Sequence, residues 1–303
     1  MIYMGTPEFA VPSLKALIGS GESVTAVFTQ PDKPQGRKMK LTPPPVKICA
    51  EENGIPVYQP VSLKKGEDAQ RAFDAIKDIA PDLIVVAAYG KILPPEILAL
   101  PEYGCINVHA SLLPAYRGAG PIQWSIIKGE SRTGVTTMQM AEGLDTGDML
   151  VSRAVDILPD ETADELHDRL AVLGADVLLD TIAQLKEGKL SPVKQDDALS
   201  SYAPMLSKEL SPIDFSKPAK EVHDLIRGLS SWPCAIADIE GRTLKVYRSH
   251  LEDTHYDLPA GTVCDRERFT VVCGDGGAVT FLEVQASGGK RMSTADYLRG
   301  NRL

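Results

Sequence analysis

An asparagine and a histidine lie two positions apart, and an aspartate follows in the turn-forming string GLDTGD; they are Asn107, His109 and Asp145. These residue types suit a reaction such as the attack of an amine on a formamide. That reaction forms a tetrahedral intermediate with a developing oxyanion, so its site needs a hydrogen-bond donor, a proton acceptor and a group that orients the acceptor. An asparagine amide can donate to the oxyanion, and a histidine that titrates near neutral pH can take or relay the proton. An aspartate beside the histidine would orient the ring. We therefore predict that these three residues form a catalytic set.

Each residue alone has an ordinary structural alternative. His109 could be a histidine satisfied by its neighbours, Asn107 could cap a turn or a helix, and Asp145 could hold its glycine-flanked turn through an Asx hydrogen bond. The catalytic interpretation therefore depends on the combination.

Other chemistries fit the same region less well. The string HASLLP around Ser111 is not a GxSxG elbow, so a serine nucleophile is not favoured. Cys105, His109 and Asp145 do not have a common zinc-ligand spacing, and we predict no metal site. The string MGTPEFA has one glycine where a dinucleotide-binding turn needs three, so nicotinamide chemistry is unsupported.

Short apolar runs alternate with helical patterns in the first half of the chain, which predicts an α/β fold with a mostly parallel sheet and helices on both faces. The expected strands are Ile2–Met4, Val24–Thr29, Val57–Gln59, Leu83–Ala88 and Gly104–His109, with helices near 12–18, 46–53 and 68–79. Ligands bind beyond the carboxyl ends of such strands, where Asn107 and His109 fall. The period of two in a strand puts both side chains on one face.

The second half of the chain has a different pattern. A hairpin around GLDTGD precedes an amphipathic helix over about 162–187, and an aperiodic segment rich in Pro, Ser and Asp follows. Beyond a helix near 219–229, short strands separated by Gly and Asp turns predict a small β-barrel. We expect a catalytic domain over 1–189, a linker over 190–207 and a C-terminal domain over 208–303.

Composition narrows the class of protein. The chain has 303 residues, which favours about two domains. The five cysteines contain no CxxC pair, and we expect them to be reduced and mostly buried. The start does not read as a signal peptide, and no apolar run approaches the roughly 20 residues of a membrane-spanning helix, so we expect a cytoplasmic protein without a membrane partner.

The net charge of −9 argues against a broadly basic surface for nucleic-acid binding. Residues 31–47 are an exception, because five bases stand there against Asp32: Lys33, Arg37, Lys38, Lys40 and Lys47. Taken alone, such a run favours a solvated loop.

The strings NVHASLLPAYRGAGPIQW and VTTMQMAEGLDTGDML resemble the folate-dependent formyltransferase family. The resemblance implies a Rossmann-like catalytic domain, a C-terminal domain of the oligonucleotide-binding (OB) barrel type, and 10-formyltetrahydrofolate as cosubstrate. It assigns catalysis to Asn107, His109 and Asp145. The residues that it implies for folate binding are Ser111, Leu112, Leu113, Pro114, Tyr89, Gly90, Lys91, Ile92, Leu93, Glu142, Gly143 and Leu144.

Further strings across the chain, including MGTPEFAVPSL, FTQPDKPQGRKMKLTPPPVK and LSSWPCA, resemble the members that act on initiator methionyl-tRNA. The resemblance implies transfer of the formyl group to the α-amino group of the methionine, and a charged loop that grips the tRNA acceptor end. Arg37 is then the first candidate for tRNA contact, supported by Lys33, Lys38 and Lys40. Further candidates in the C-terminal domain are Lys245, Arg248, Lys290 and Arg291.

Two alternatives stay open at this point. A formyltransferase for a small amine, or a formyl-folate hydrolase, would share the catalytic set but would need neither the basic loop nor the C-terminal domain. A non-catalytic RNA-binding protein would have no use for the complete catalytic set.

We expect the active protein to be a monomer.

Overall fold

The structure is a computed structural model that describes residues 1–35 and 39–301. The chain divides into two compact units. The first unit consists of residues 1–118, 134–154 and 168–202, and the second of residues 119–133, 155–167 and 203–303.

The strands and helices are numbered in chain order. The strands are β1 Ile2–Gly5, β2 Ala26–Phe28, β3 Lys33–Gln35, β4 Lys40–Thr42, β5 Val57–Tyr58, β6 Ile84–Ala87, β7 Cys105–His109, β8 Arg117–Gly118, β9 Arg132–Gln139, β10 Met149–Asp156, β11 Tyr202–Ala203, β12 Ala235–Ile239, β13 Arg242–Glu252, β14 Val263–Asp265, β15 Thr270–Val272, β16 Ala278–Ala286 and β17 Met292–Ser293. The helices are α1 Val11–Gly19, α2 Pro45–Glu52, α3 Glu67–Ile79, α4 Pro95–Leu98, α5 Pro121–Ile127, α6 Ala163–Lys186, α7 Ala219–Gly228 and α8 Thr294–Gly300.

The first unit is organised around a sheet with strand order β10-β9-β7-β6-β1-β2-β5. The strands β5, β2, β1, β6 and β7 are parallel, and β9 runs antiparallel to β7. Both β1 and β6 are buried at every position, as expected for apolar strands covered by helices on both faces. This order places β7 between β9 and β6, with its carboxyl end next to that of β6.

The helix α3 shows how sequence patterning positions these strands. Its buried face consists of Ala69, Ala72 and Ile76, spaced three and four residues apart. Acidic residues occupy its first turn and Lys77 its last turn, which complements the helix dipole. One hydrophobic core of this unit includes Ile76 together with Ile2, Ile84 and Phe28.

The second unit contains an antiparallel sheet of order β12-β13-β16-β15-β14, with β17 paired to β16. The amphipathic helix α7 buries Val222 and Ile226 in the same core as Val246 and Phe281. The predicted fold class, an α/β sheet domain followed by a C-terminal β domain, is confirmed. Closure of the C-terminal strands into a barrel stays a prediction, as do the domain boundaries at 189 and 208.

Two local features differ from the sequence-based expectation. The basic segment contains the short hairpin β3–β4, which its charge and proline content did not indicate. The last described element is the helix α8, whose first turn is capped by Ser293, and this helix was also not predicted. Both elements are short, and they lack the repeated apolar spacing by which longer elements are found.

Candidate active site

The strand β7 carries Asn107 and His109 at its carboxyl end. Asn107 lies opposite Val86 of β6 on one side and Met138 of β9 on the other, and His109 lies opposite Thr136 of β9. Asn107 is half-buried, whereas the His109 side chain is only 6% exposed. Both side chains therefore occupy the edge of the sheet at which parallel α/β proteins bind ligands.

The two ring nitrogens of His109 have different surroundings. The Nε2 atom lies 3.0 Å from the carbonyl oxygen of Tyr116. Because a carbonyl can only accept a hydrogen bond, Nε2 carries the hydrogen in this arrangement. The Nδ1 atom lies 3.7 Å from Oδ2 of Asp145. In a neutral ring, Nδ1 is then the nitrogen with the free lone pair.

Asp145 comes from the loop between β9 and β10, and its side chain is only 12% exposed. Its Oδ2 atom accepts a hydrogen bond of 2.9 Å from the backbone N–H of Gly118. Its φ angle is +52°, in the left-handed region that aspartate tolerates better than most residues. Nearby, Gly147 has no space for a side chain, because a Cβ would lie 1.6 Å from the carbonyl oxygen of Gln139. The glycine therefore allows the loop to turn tightly and bring Asp145 to His109.

The combined arrangement is suited to proton transfer. The carboxylate of Asp145 faces Nδ1, so an imidazolium formed by protonation at Nδ1 would be stabilised by the adjacent negative charge. Asn107 lies on the same face of β7, and within the described residues its carboxamide makes no hydrogen bond to another group. The site thus offers a base, a carboxylate beside it and an amide that is free to donate.

The SLLP turn after β7 is held by Thr136 of β9. Thr136 Oγ1 donates to the carbonyl oxygen of Ser111 at 2.8 Å and accepts from the N–H of Leu113 at 3.2 Å. The hydroxyl of Ser111 is fully buried and donates to the carbonyl of Ala115 at 2.6 Å. Its hydroxyl therefore stabilises the turn, and Leu112 and Pro114 are the half-buried side chains of the segment.

The turn after β6 is fixed by side chains from neighbouring strand ends. The carbonyl of Tyr89 accepts from Thr6 Oγ1 at 3.0 Å and from Gln30 Nε2 at 3.1 Å, and Gln30 also donates to the carbonyl of Gly90 at 3.1 Å. Ile92 is 59% exposed, and Lys91 is half-buried. The side chains of Tyr89 and Leu93 are buried, and burial raises the pKa of Tyr89.

The third segment that the resemblance implied for folate binding lies just before Asp145. Glu142, Gly143 and Leu144 are all exposed in the loop between β9 and β10, and Leu144 is 53% exposed. An exposed leucine directly beside a half-buried aspartate gives this loop an apolar surface next to the polar site.

The basic segment divides into exposed lysines and one anchored lysine. Lys33 and Lys40 are exposed on the hairpin β3–β4, and Arg37 and Lys38 lie outside the described residues. Lys47, by contrast, contacts both carboxylate oxygens of Asp32 at 2.9 and 3.0 Å. Hydrogen bonds from Gln59 and from Lys47 lower the pKa of Asp32. Lys47 therefore fixes the base of the hairpin.

The basic residues of the second unit that are candidates for tRNA contact differ in their own contacts. Lys245 and Lys290 are exposed, whereas Arg248 forms an ion pair with Glu165. The guanidinium of Arg291 lies 4.2 Å from the ring centroid of Tyr247 and pairs with Glu283 at 2.7 Å. Arg248 and Arg291 thus already have acidic partners within their own unit.

Sequence reasoning missed the backbone groups that complete the site. The carbonyl of Tyr116 and the N–H of Gly118 belong to the string YRG, which lies directly after the SLLP turn. Tyr116 and Gly118 both have positive φ angles, of 59° and 117°. The glycine was the only local signal for an unusual backbone at this point.

Three further properties concern the described part of the chain. Within residues 1–35 and 39–301, no group of three or more His, Cys, Asp or Glu side chains is arranged to hold a metal ion. Among the helices that the structure describes, none is both long and apolar enough to span a membrane. All five cysteines are free thiols, and Cys264 alone among them is not buried.

The chain matches two family models that together cover most of its length. Residues 1–182 match the formyl transferase model, and residues 205–302 match the model of the formyl transferase C-terminal domain. The chain therefore belongs to the formyl transferase family, a class of formyl-transferring enzymes, and the resemblance seen in its sequence is confirmed.

Relatives within this family carry a more particular name. The methionyl-tRNA formyltransferase of Geobacter metallireducens is 50% identical over 304 aligned residues, covering 100% of this chain and 96% of the relative. The methionyl-tRNA formyltransferase of Caldanaerobacter subterraneus subsp. tengcongensis is also 50% identical over 304 aligned residues, covering 100% of this chain and 97% of the relative.

A solved structure shares the fold at much lower identity. The N-formyltransferase from Helicobacter canadensis, in complex with folinic acid and dTDP-3-aminofucose, aligns with a TM-score of 0.69 at 20% identity. The alignment covers 92% of this chain and 97% of that one. This likeness extends over both units of the chain.

Proposed function

We propose that this chain transfers the formyl group of 10-formyltetrahydrofolate to the α-amino group of methionine on initiator methionyl-tRNA. The 50% identity to methionyl-tRNA formyltransferases over the full chain carries this proposal. The approach of Asp145 to His109 supports it chemically, because acyl transfer to an amine needs an oriented proton acceptor. We expect the enzyme to work as a cytoplasmic monomer.

In this reaction, a bond forms between the α-amino nitrogen and the formyl carbon, and the bond from that carbon to N10 of the folate breaks. The attacking nitrogen loses a proton, and N10 gains one. The unperturbed pKa of an α-amino group is about 8, so deprotonation is easy and positioning supplies much of the rate. The residues of the site then have two tasks, which are to move this proton and to stabilise the tetrahedral intermediate.

His109 performs the first task. Its Nδ1 lone pair accepts the proton of the amine, while Nε2–H stays bonded to the Tyr116 carbonyl. Asp145 faces Nδ1 and stabilises the imidazolium, and Gly118 N–H keeps the carboxylate in place. His109 can then pass the proton on towards the leaving nitrogen.

Asn107 performs the second task. Its side-chain NH₂ donates to the oxygen of the formyl group as negative charge develops there. Because the carboxamide has no hydrogen bond to the described residues, it need not break one before it binds the oxyanion.

The folate cosubstrate would bind along three loops at the same edge of the sheet. The turn Tyr89–Leu93, the segment Ser111–Pro114 and the residues Glu142–Leu144 would line its pocket. The rigid anchoring of the first two segments by Thr6, Gln30 and Thr136 supports this assignment, as a pocket fixed before binding loses less entropy.

The tRNA would contact Arg37, with Lys33, Lys38 and Lys40 binding phosphates. Lys245 is a further candidate because it is exposed. Arg248 would have to exchange its partner Glu165 for a phosphate. The pairing of Lys47 with Asp32 supports a hairpin that is held firmly at its base.

A formylation assay with charged initiator tRNA tests the proposal. The enzyme and 10-formyltetrahydrofolate are incubated with charged initiator tRNA, charged elongator tRNA or a dTDP-linked amino sugar. We expect rapid formylation of the initiator tRNA alone. Comparable transfer to the amino sugar, or folate hydrolysis that is independent of tRNA, would instead favour a small-amine transferase or a hydrolase.

The role of the basic segment needs its own variant. Arg37→Ala should reduce the preference for initiator over elongator tRNA, with Lys64→Ala as the control at an exposed lysine outside the segment. If Arg37→Ala prefers initiator over elongator tRNA as strongly as the parent enzyme does, the segment is a solvated loop without a role in recognition.

A further inference from the structure

The segment 193–201 is assigned no role by the family models, because it lies between their matched ranges of 1–182 and 205–302. Its sequence favours a linker, and residues 191–200 are exposed with one exception, Gln195. The Gln195 residue is only 6% exposed. A buried glutamine in an otherwise exposed segment requires polar partners, and these partners identify what the segment does.

The amide nitrogen of Gln195 binds the loop that carries Asp145. Nε2 donates to the carbonyl oxygen of Asp145 at 2.8 Å and to that of Gly147 at 2.7 Å. Both hydrogens of one NH₂ group are thereby used on two carbonyls that lie two residues apart. These contacts hold the backbone of Asp145 in its left-handed conformation, with φ at +52°.

The other end of the Gln195 amide is fixed by Arg117. Arg117 Nε donates to Gln195 Oε1 at 2.9 Å, and this contact orients the amide with its NH₂ group towards the loop. A second nitrogen of the guanidinium contacts Asp197 of the same segment at 2.8 Å. Arg117 is bracketed by Tyr116 and Gly118, whose backbone groups contact His109 and Asp145.

Ser201, at the end of the segment, binds Tyr116, whose carbonyl oxygen is the second contact of the His109 ring. The N–H of Tyr116 donates to Ser201 Oγ at 2.8 Å, and the N–H of Arg117 donates to the Ser201 carbonyl at 2.9 Å. Tyr116 also has a positive φ angle, 59°, and its carbonyl oxygen accepts from His109. Tyr116 and Asp145, which both contact the His109 ring, are thus both anchored by one segment.

We propose that Gln195 and Ser201 of segment 193–201 support the active site, with Gln195 as a positioning residue that sets the place of the Asp145 carboxylate relative to His109. The inference rests on the proposed function for its catalytic readout. In this role, Gln195 contacts neither the substrate nor the reacting atoms. It acts through Asp145, by bonding two loop carbonyls that would otherwise lack a partner in the described structure. Without these bonds, the loop can relax and carry the carboxylate away from Nδ1.

The experiment compares Gln195→Ala and Gln195→Met, which retains the side-chain volume, with Lys194→Ala, an exposed neighbour. For both Gln195 variants we expect kcat to fall at least ~10-fold, which is part of the roughly 10²- to 10⁴-fold that general acid–base catalysis contributes, with KM for tRNA and folate within about 2-fold. Lys194→Ala should match the parent enzyme. Circular dichroism and the melting temperature establish whether each variant is folded. If Gln195→Ala does not fold, Gln195→Met alone provides the test.

A double-mutant cycle with Asp145→Ala separates positioning from a general structural role. If Gln195 acts through Asp145, adding Gln195→Met to Asp145→Ala should change kcat by less than about 2-fold. Independent, multiplying losses would overturn the proposal. So would an unchanged kcat in the single variant, or an effect confined to KM.

A spectroscopic measurement keeps this inference separate from the proposed function. The ring ¹⁵N resonances of His109 should move in Gln195→Met towards their positions in Asp145→Ala, whether or not the enzyme formylates tRNA. Failure of the parent enzyme to formylate tRNA would overturn the proposed function alone. Unchanged His109 resonances in Gln195→Met would overturn the positioning role alone.

Discussion

The Nδ1 atom of His109 lies 3.7 Å from Oδ2 of Asp145, although 35 residues separate the two positions in the chain. The pair is formed because β9 returns antiparallel to β7, and the following loop brings Asp145 back to the carboxyl end of β7. The distance is too long for a direct hydrogen bond but short for two groups of opposite charge. At this distance, the carboxylate of Asp145 attracts the His109 ring once the ring is protonated, and so stabilises the imidazolium.

The substitution Asp145→Asn removes the charge and keeps the shape of the side chain. The carboxamide oxygen that it introduces can still accept from Gly118 N–H, so the loop should keep its structure. Loss of the negative charge beside the imidazolium should lower kcat by about 10²-fold or more, in the range found for groups that assist proton transfer. Steady-state kinetics with charged tRNA measures this loss.

Asp148→Asn is the matched control for this charge, because Asp148 is exposed at the end of the same loop. It should retain the kcat of the parent enzyme. Equal losses in the two variants would mean that the overall charge of the loop matters and not the pairing with His109.

Asn107→Ala removes the amide that we assign to the oxyanion. Loss of one such donor typically costs about 10²- to 10³-fold in kcat. Because the side chain is half-buried and its amide makes no hydrogen bond to the described residues, the melting temperature should change little. A variant with full activity at saturating substrates would remove Asn107 from the mechanism.

The stability of the second unit should depend on Phe281. This side chain is 1% exposed, and its ring centroid lies 5.1 Å from that of Phe269. Truncation of a buried phenylalanine to alanine costs about 3–5 kcal/mol in the free energy of unfolding. Leu282→Ala is the control on the adjacent position, which points the other way along β16 and is 43% exposed. Urea denaturation should show a large loss for Phe281→Ala and a small one for Leu282→Ala.

His223 should make stability depend on pH. Burial lowers its pKa below the ordinary value of 6.5, and both ring nitrogens are bonded, to Ser249 Oγ at 2.9 Å and to the Pro159 carbonyl at 3.0 Å. Asp160, Asp224 and Arg227 are the charged groups around it. Below pH 6.5 the unfolded chain takes up a proton that the folded chain resists, so stability falls as pH decreases through that value.

Urea denaturation at about pH 7.5 and 5.5, on either side of the unperturbed histidine pKa, measures this effect. The loss of stability between the two pH values should be smaller in His223→Gln than in the parent. His255→Gln, at an exposed histidine, should leave the loss as it is in the parent. An identical loss in His223→Gln would show that other groups cause the pH dependence.

Much of the fold could be predicted because its signals are local. The runs at Ile2–Met4 and Leu83–Ala88 are apolar without interruption, as strands buried on both faces require, and the observed strands begin and end within one residue of them. The helix α6, Ala163–Lys186, was predicted over about 162–187 from its apolar spacing. Its first turn is a capping box, in which the Thr162 N–H donates to Glu165 at 2.9 Å.

The segments that escaped prediction lack such periodic signals. Nothing in the aperiodic segment around Gln195 indicates that one of its residues is buried against the Asp145 loop. Lys47 belongs to the group of basic residues in 31–47 that together predicted a charged loop, yet it forms an ion pair with Asp32. In both cases the partner is distant in sequence, or is a backbone carbonyl that any residue type could supply.

The sequence by itself determined the chemistry, the family and the placement of Asn107 and His109 on one face of a strand, because residue type and a period of two are local properties. Only the tertiary structure decided that Asp145 meets Nδ1, that Tyr116 and Gly118 supply the backbone contacts, and that Gln195 holds the loop. Those relationships depend on how the β9–β10 loop and segment 193–201 return to the end of β7. Such returns are set by packing and by hydrogen bonds to main-chain atoms, which leave no pattern in the order of side chains.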